Sequence, residues 1–349
     1  MTKYNSIDIL KFIASFFVVM IHISLFNEVN PYLNLFTANG LSRLAVPIFF
    51  LASAFFFYKK NVNIDKYSQK NALLRYTKRM FVLYFGWFII SLPKTIYERF
   101  IYNEKSLLEN LLQFIKSFFF TSTFSGSWFL VSCVFSVWVL YFIFNKSFKD
   151  ATLVNKLIIG VCCFLYLLCV ITSAYGNIFI KMGIGNFYDS FVFYFAKPYT
   201  SILVGVPYFV LGRYIAQYDP HLTVRGKTLG ILSLFLFLTE ILLTYNLDLQ
   251  MSSDCYLMLL PCAYFIFVLI KDIRIELKFN TVILRNASTI IFFSHFIWIF
   301  AIEIFERVFS LSLNSLYRFV LVSVLCLLTV SAFLMLSKKK IFSWLKYLY

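Results

Sequence analysis

Long apolar runs separated by short polar stretches set the pattern of this chain. A membrane-spanning helix needs about 20 mostly apolar residues, and ten runs meet that description. They cover roughly 7–27, 41–58, 80–97, 127–144, 157–175, 191–216, 228–246, 253–271, 286–306 and 315–337. Between the third and fourth runs, 98–116 (ERFIYNEKSLLENLLQFIK) is amphipathic and reads as a helix lying on the membrane surface. After the tenth, KKKIFSWLKYLY reads as a basic, aromatic interfacial segment. The first run is too long for a signal peptide, carries Lys11 within it and lacks a small-x-small cleavage site, so it reads as a retained helix. The pattern predicts an all-α integral membrane protein of about ten transmembrane helices. Residues 1–337 form one membrane domain, and 338–349 a basic amphipathic cytoplasmic tail.

Composition agrees with the pattern. Of the 349 residues 61% are apolar and 14% charged, and the mean hydropathy is +0.80. Soluble domains average about 45–50% apolar and about 25% charged, so a soluble globular fold is excluded. The net charge of +16 could suggest nucleic acid, but no soluble domain exists to present it. Positive-inside bias explains it better. With the N-terminus inside, 22 Lys and Arg fall in inner segments and six in outer ones. That distribution places both termini in the cytoplasm of a bacterial cell and the chain in its cytoplasmic membrane. The seven cysteines lie mostly within apolar runs, with no metal-site or disulfide spacing, and read as packing residues.

An ionisable side chain at membrane depth costs at least about 2.5–3.5 kcal/mol on insertion scales, so such residues are the first functional candidates. Here they are Lys11, His22, Arg43, Lys197, Glu240 and His295, with Asp8, Glu303 and Arg318 nearer the run ends. Lys11 and His22 share the first run. Eleven residues at about 100° each bring the two side chains to one helix face, about 16 Å apart along the axis. A cation low on a helix and a titratable base high on it suit a reaction that draws an anionic donor from inside. The alternative is that Lys11 snorkels and His22 bonds a neighbouring helix. Asp8, one turn before Lys11, is placed to neutralise it. Arg43 reads as an outer anchor on position alone. Pro47 is expected to bend its helix and free carbonyl groups. Glu240 needs a partner: His22, an acceptor hydroxyl, Lys197 or Arg43.

The first two runs together resemble the opening of the acyltransferase-3 family, bacterial membrane acyltransferases that modify surface polysaccharides and related envelope molecules. SIDILKFIASFFVVMIHIS (6–24) has its basic residue, ten intervening residues and histidine. RLAVPIFFLASAFFFYKK (43–60) resembles its Arg-x-x-Val-Pro-x-Phe-Phe segment and following Ser-Gly-Phe. Looser matches are RYTKRMFVLY (75–84), Trp128–Leu130, YFVLGR (208–213) and STIIFFSH (288–295). The chain departs from the family at Lys11, where Arg is common, and at Ala54, which replaces glycine and cannot offer the same close backbone approach.

The resemblance implies acetyl-CoA, or another acyl-CoA, as cytoplasmic donor substrate, with no metal. The acceptor is a hydroxyl of an envelope glycan or lipid-linked sugar. His22 becomes the general base and Glu240 a second catalytic candidate. Lys11, Arg75 and Arg79 become candidates for the CoA phosphates, the last two otherwise ordinary inside-positive residues. Arg43, Ser53, Trp128, Lys197 and His295 become substrate-binding candidates, Arg43 also for the oxyanion. Trp128 otherwise belongs to an interfacial belt, and His295 to structural hydrogen bonding. The competing reading is a membrane transporter or amino-acid uptake module without covalent chemistry, its ionisable residues lining a substrate path.

Overall fold

Backbone in a membrane has no water to bond, so apolar runs fold as helices that pair their own N–H and C=O groups. The computed structural model describes residues 4–61, 64–101, 106–145, 151–194 and 197–349, and all regular structure among them is helical. Lys3, Lys105, Lys146 and Lys149, counted among the loop charges, lie outside the described residues. In chain order the α-helices are α1 (Asn5–Ile23), α2 (Pro31–Thr37), α3 (Ala45–Asn61), α4 (Lys66–Ile96), α5 (Leu107–Phe120), α6 (Trp128–Asn145) and α7 (Ala151–Thr172). There follow α8 (Asn177–Lys181), α9 (Gly185–Tyr194), α10 (Gly205–Tyr218), α11 (Val224–Asn246), α12 (Leu259–Asp272), α13 (Val282–Phe309) and α14 (Ser315–Leu336).

Seven helical stretches among the described residues are long and apolar enough to cross a membrane: Asn5–Ile23, Pro31–Asn61, Lys66–Arg99, Asn155–Thr172, Val224–Asn246, Val282–Phe309 and Ser315–Leu336. They fall on the first, second, third, fifth, seventh, ninth and tenth expected runs. The fourth run is the shorter apolar helix α6. The sixth and eighth differ from expectation. Instead of one helix over 191–216 there are α9, a 3-10 turn at Pro198–Thr200, and then α10. Pro198 opens that turn, and a residue before proline is steered away from helical backbone. The eighth run is helical only from Leu259, because Ser252, Ser253 and Asp254 favour turns. Pro47 lies in the first turn of α3, where a missing backbone donor costs least.

Helices α10 and α12, with 14 residues each, rise only about 21 Å. The non-helical backbone leading into each is packed inside the bundle, and neighbouring side chains satisfy it. Ser132 Oγ accepts from Gly205 N at 3.0 Å, and Ser173 Oγ from Cys255 N at 3.0 Å. The Glu240 carboxylate, on α11, accepts from Leu257 N at 2.6 Å, Met258 N at 2.8 Å and the Tyr175 hydroxyl at 3.0 Å. A carboxylate on the first N–H groups of α12 also suits that helix's dipole.

Helices α1 and α13 run parallel. Asn5 Nδ2 donates to Ile275 O and the Thr281 hydroxyl to Asp8, while at the other end the Ser315 hydroxyl donates to Leu25 O. Helix α3 runs opposite to them and is buried along most of its length, with Phe50, Leu51, Ala54 and Phe55 inaccessible. Gly212 of α10 rests on Ala54, leaving no room there for a side chain. Ala54 therefore serves helix packing.

At the pole where α1 begins, buried Lys271 bonds Asp219 at 2.7 Å and Asp272 at 2.6 Å, and Lys59 reaches Asp219 at 3.3 Å. Burial pushes the Asp219 carboxyl up, but the bonds and charges of Lys271 and Lys59 outweigh it and hold the group below its ordinary value. This clamp is complete at neutral pH and is lost as pH falls through that depressed value. The final segment, Lys340–Leu348, is a 3-10 helix folded back on α4 and α14, with Trp87 Nε1 donating to Leu348 O at 3.0 Å.

Replacing Glu240 by Ala strands two part-buried N–H donors and is expected to destabilise the protein by about 1–3 kcal/mol. Glu240→Gln keeps an acceptor and should lose less than half of that. Thermal melting of detergent-purified protein measures both.

Candidate functional site

Helix α1 carries both ends of the site. Its one polar stripe holds Lys11 and His22, and each opens into a different cavity.

The Lys11 cavity has a volume of about 590 Å³. Four further cations line it: Lys60 from α3, Arg75 and Arg79 from α4, and Arg285 from α13. Ser53, Asn61, Tyr76, Asn286 and Thr289 add hydrogen-bonding groups, and no carboxylate faces in. The Ser53 hydroxyl bonds Tyr76 Oη at 2.7 Å. Asp8 does not pair with Lys11 as its spacing suggests; its Oδ2 accepts from the Thr281 hydroxyl at 2.9 Å. Five cations thus gather around one cavity, with the charge of Asp8 acting on Lys11 from outside the lining; Arg is suited to bidentate phosphate contact and Lys to point-charge contact.

The second cavity, about 440 Å³, lies at the opposite pole. His22 opens into it beside Lys94, Glu98, Thr121, Ser122, Ser125, Trp128, Thr200, Phe296 and Glu303. The His22 ring is exposed there, 4.6 Å from the Phe296 ring centroid and 5.4 Å from that of His295. No hydrogen bond to a described residue engages it, so its nitrogens are available to a ligand. Behind it, His295 is fully buried; its Nδ1 is 3.0 Å from Ile291 O, and its Nε2 has no hydrogen-bond partner. Gly126, in a left-handed conformation, lets the loop before α6 close on Phe296.

A thin aromatic wall divides the cavities. Phe49, Phe129 and Phe292 line the basic side, with Phe292 at 5.4 Å from each of the other two rings. Trp128 and Phe296 line the His22 side. Phe292 and Phe296 are one turn apart on α13, about 6 Å of rise.

The other expected site residues are placed elsewhere. Arg43 lines neither cavity: its guanidinium pairs with Asp254, donates to Ser253 Oγ at 2.7 Å and approaches Asn39 Oδ1 at 3.4 Å. It ties the 3-10 turn Leu41–Leu44 to the segment before α12. Glu240, expected beside His22 or an acceptor, or else paired with Lys197 or Arg43, instead caps α12. The Lys197 side chain is exposed beside the turn before α10. Trp128 lies in the His22 cavity, Ser53, Arg75 and Arg79 in the basic one, and His295 packs on His22. Lys60, Arg285, Lys94 and Glu303 complete the two linings. Lys60 and Arg285 read in sequence as loop charges, and only their convergence on Lys11 distinguishes them.

A bundle of apolar helices with a basic cavity at one pole and a histidine-bearing, hydroxyl-lined one at the other defines a multi-pass membrane protein with two chemically distinct cavities. A family model described as an acyltransferase domain matches residues 4–337. The chain belongs to the acyltransferase-3 family. It is similar to two proteins of Enterococcus faecalis, each named an amino-acid racemase. One is 25% identical over 281 residues, 78% of this chain and 37% of the relative. The other is 23% identical over 345 residues, 97% of this chain and 47% of the relative. The chain thus spans less than half the length of these curated relatives. No solved structure matches it.

Arg43→Met is expected to lower the melting temperature by leaving Asp254 without its cation. Arg43→Met combined with Asp254→Leu should recover most of the loss. A double-mutant cycle of melting temperatures checks this.

Proposed function

We propose that this protein is a multi-pass O-acyltransferase of the bacterial cytoplasmic membrane, with ten spans and both termini in the cytoplasm. It moves an acetyl group from acetyl-CoA to a hydroxyl of a cell-envelope glycan or lipid-linked sugar. The reading rests on one observation. His22 opens, with no hydrogen bond to a described residue, into a hydroxyl-lined pocket whose Phe296 is one helical turn from Phe292 of a cavity lined by five cations and, among the described residues, no carboxylate.

In this reading Lys11, Lys60, Arg75, Arg79 and Arg285 hold the phosphates of CoA, whose arm extends toward the aromatic wall. The acceptor lies against Trp128 and Phe296. Neutral His22 takes the acceptor's hydroxyl proton as the oxygen attacks the thioester carbonyl. A C–O bond forms, the C–S bond breaks, and the proton passes from His22 to the departing thiolate, giving free CoA. The oxyanion between these steps is met by the hydroxyl donors that line the pocket, among them Thr121 and Thr200.

A second reading is an amino-acid uptake module; the relatives' name, amino-acid racemase, speaks of amino acids and does not decide between the two. The two separate on one property: an enzyme consumes acyl-CoA in detergent, whereas uptake needs a sealed compartment. Detergent-purified protein with radiolabelled acetyl-CoA and an envelope extract is expected to transfer label. His22→Ala should reduce transfer by about 10²–10⁴. Lys11→Ala and Arg285→Ala should mainly raise KM for acetyl-CoA. Absence of transfer by the wild type, with uptake of labelled amino acids into proteoliposomes, would reverse the choice.

A further inference from the structure

The His22 cavity carries a charge pattern opposite to that of its neighbour. Three fixed charges line it: Lys94, Glu98 and Glu303. The Lys94 ammonium is already engaged, by Glu98 Oε1 at 2.9 Å and Ser125 Oγ at 2.8 Å, and it lies 5.8 Å from the Phe296 ring centroid. Glu303 is different. It is half-buried at the cavity wall and has no hydrogen bond or ion pair to a described residue. Arg307, one turn further on, donates to the Tyr97 hydroxyl at 2.9 Å and forms no ion pair with Glu303. Among the described residues that line the cavity, Glu303 is the fixed charge left without an opposite partner.

The position of that charge carries information. Phe296, Ile299 and Glu303 all line the cavity, spaced by three and four residues along one stripe of α13. Phe296 touches the His22 ring, and Glu303 is seven residues beyond it, about 10 Å along the helix. A group held by Glu303 is therefore well separated from the atom that His22 serves. A single small hydroxy acid cannot reach both, while an acceptor of two joined sugar rings can. Aromatic faces at Trp128 and Phe296, with the hydroxyls of Thr121, Ser122, Ser125 and Thr200, suit sugar rings.

Resting on the acyltransferase reading of the His22 cavity, we infer that Glu303 is the specificity-determining residue for the acceptor. It admits extended saccharides that are uncharged or bear an amine, and it turns away anionic ones. Its carboxylate accepts hydrogen bonds from sugar hydroxyls and pairs with an ammonium. It repels a uronate or phosphate at the same place, and Lys94, already neutralised, offers no compensation.

Three disaccharides of matched size test this: chitobiose, which carries amines, neutral N,N′-diacetylchitobiose, and anionic digalacturonate. Binding is measured by calorimetry on full-length protein in detergent, with the His22→Ala background as a control in which no transfer occurs. Chitobiose is expected to bind at least ten-fold more tightly than digalacturonate, with the neutral sugar between them. Glu303→Gln should remove most of the preference for the amine, and Glu303→Lys should reverse the order. An unchanged order in Glu303→Lys, equal binding of chitobiose and digalacturonate, or no binding of any of the three overturns the inference. Acetyl transfer to envelope extract is read separately. If it persists while the sugars fail to bind, the specificity inference falls alone; if the sugar order holds while no acetyl is transferred, the acyltransferase reading falls.

Discussion

No water reaches the interior of a hydrocarbon layer, so every backbone group that leaves a helix there must find a partner in the protein. The arrangement around α12 follows from this constraint. The chain enters that helix through a buried non-helical segment, and its first N–H groups would be orphans without the Glu240 carboxylate. Ser173 performs the same service two residues earlier, through its hydroxyl and its carbonyl. The segment so fixed carries Ser253 and Asp254, which hold Arg43 and with it the turn that starts α3. A carboxylate that reads as a catalytic group in sequence thus anchors the backbone from which the central helix is hung.

With that frame in place, α1 and α13 act as parallel supports for two chemically opposed cavities. Lys11 and Arg285 face the same basic cavity from the two helices; His22 and Phe296 face the other. Helical periodicity alone keeps the spacing, because neither helix is broken between the two levels. The aromatic wall makes the division effective. Phe49, Phe129 and Phe292 present no polar atoms, so nothing on the wall stabilises an ion between the cavities, while a flexible uncharged arm meets only packing.

Much of this was legible in the sequence. Apolar runs located the helices, because burial in lipid demands a continuous run. The eleven-residue interval put Lys11 and His22 on one face, because α1 has neither proline nor glycine to alter its turn. The sixth and eighth runs are not continuous helices, for a related reason. Hydropathy registers apolar length and not backbone continuity, so a buried turn at Pro198 or around Ser252 looks like helix. Arg43 and Glu240 were flagged by their cost in a membrane, but that cost is met by structural partners as readily as by substrate. Their partners, Asp254 and the N–H groups of Leu257 and Met258, lie in a segment whose path the sequence pattern misread. Lys60 and Arg285 were hidden for the opposite reason: near a helix end a cation is cheap, so nothing marks it until the fold gathers it.

The gathering has an energetic consequence. Lys11, Arg79 and Arg285 lie close enough to act on one another's charge, and no carboxylate lines their cavity. Such a cluster opposes folding when empty, since like charges at short range repel. The partly open mouth of the cavity lets water and counterions relieve some of the repulsion, which keeps the empty state accessible. Under the proposed reading, a bound polyanion would remove the rest, and part of its binding free energy would come from relieving that repulsion. Ligand affinity and fold stability are then linked through the same five side chains. The His22 cavity has a different balance: its Lys94 is neutralised by its own neighbours, and its lining is mostly hydroxyls and aromatic faces, with the Glu303 carboxylate at its edge.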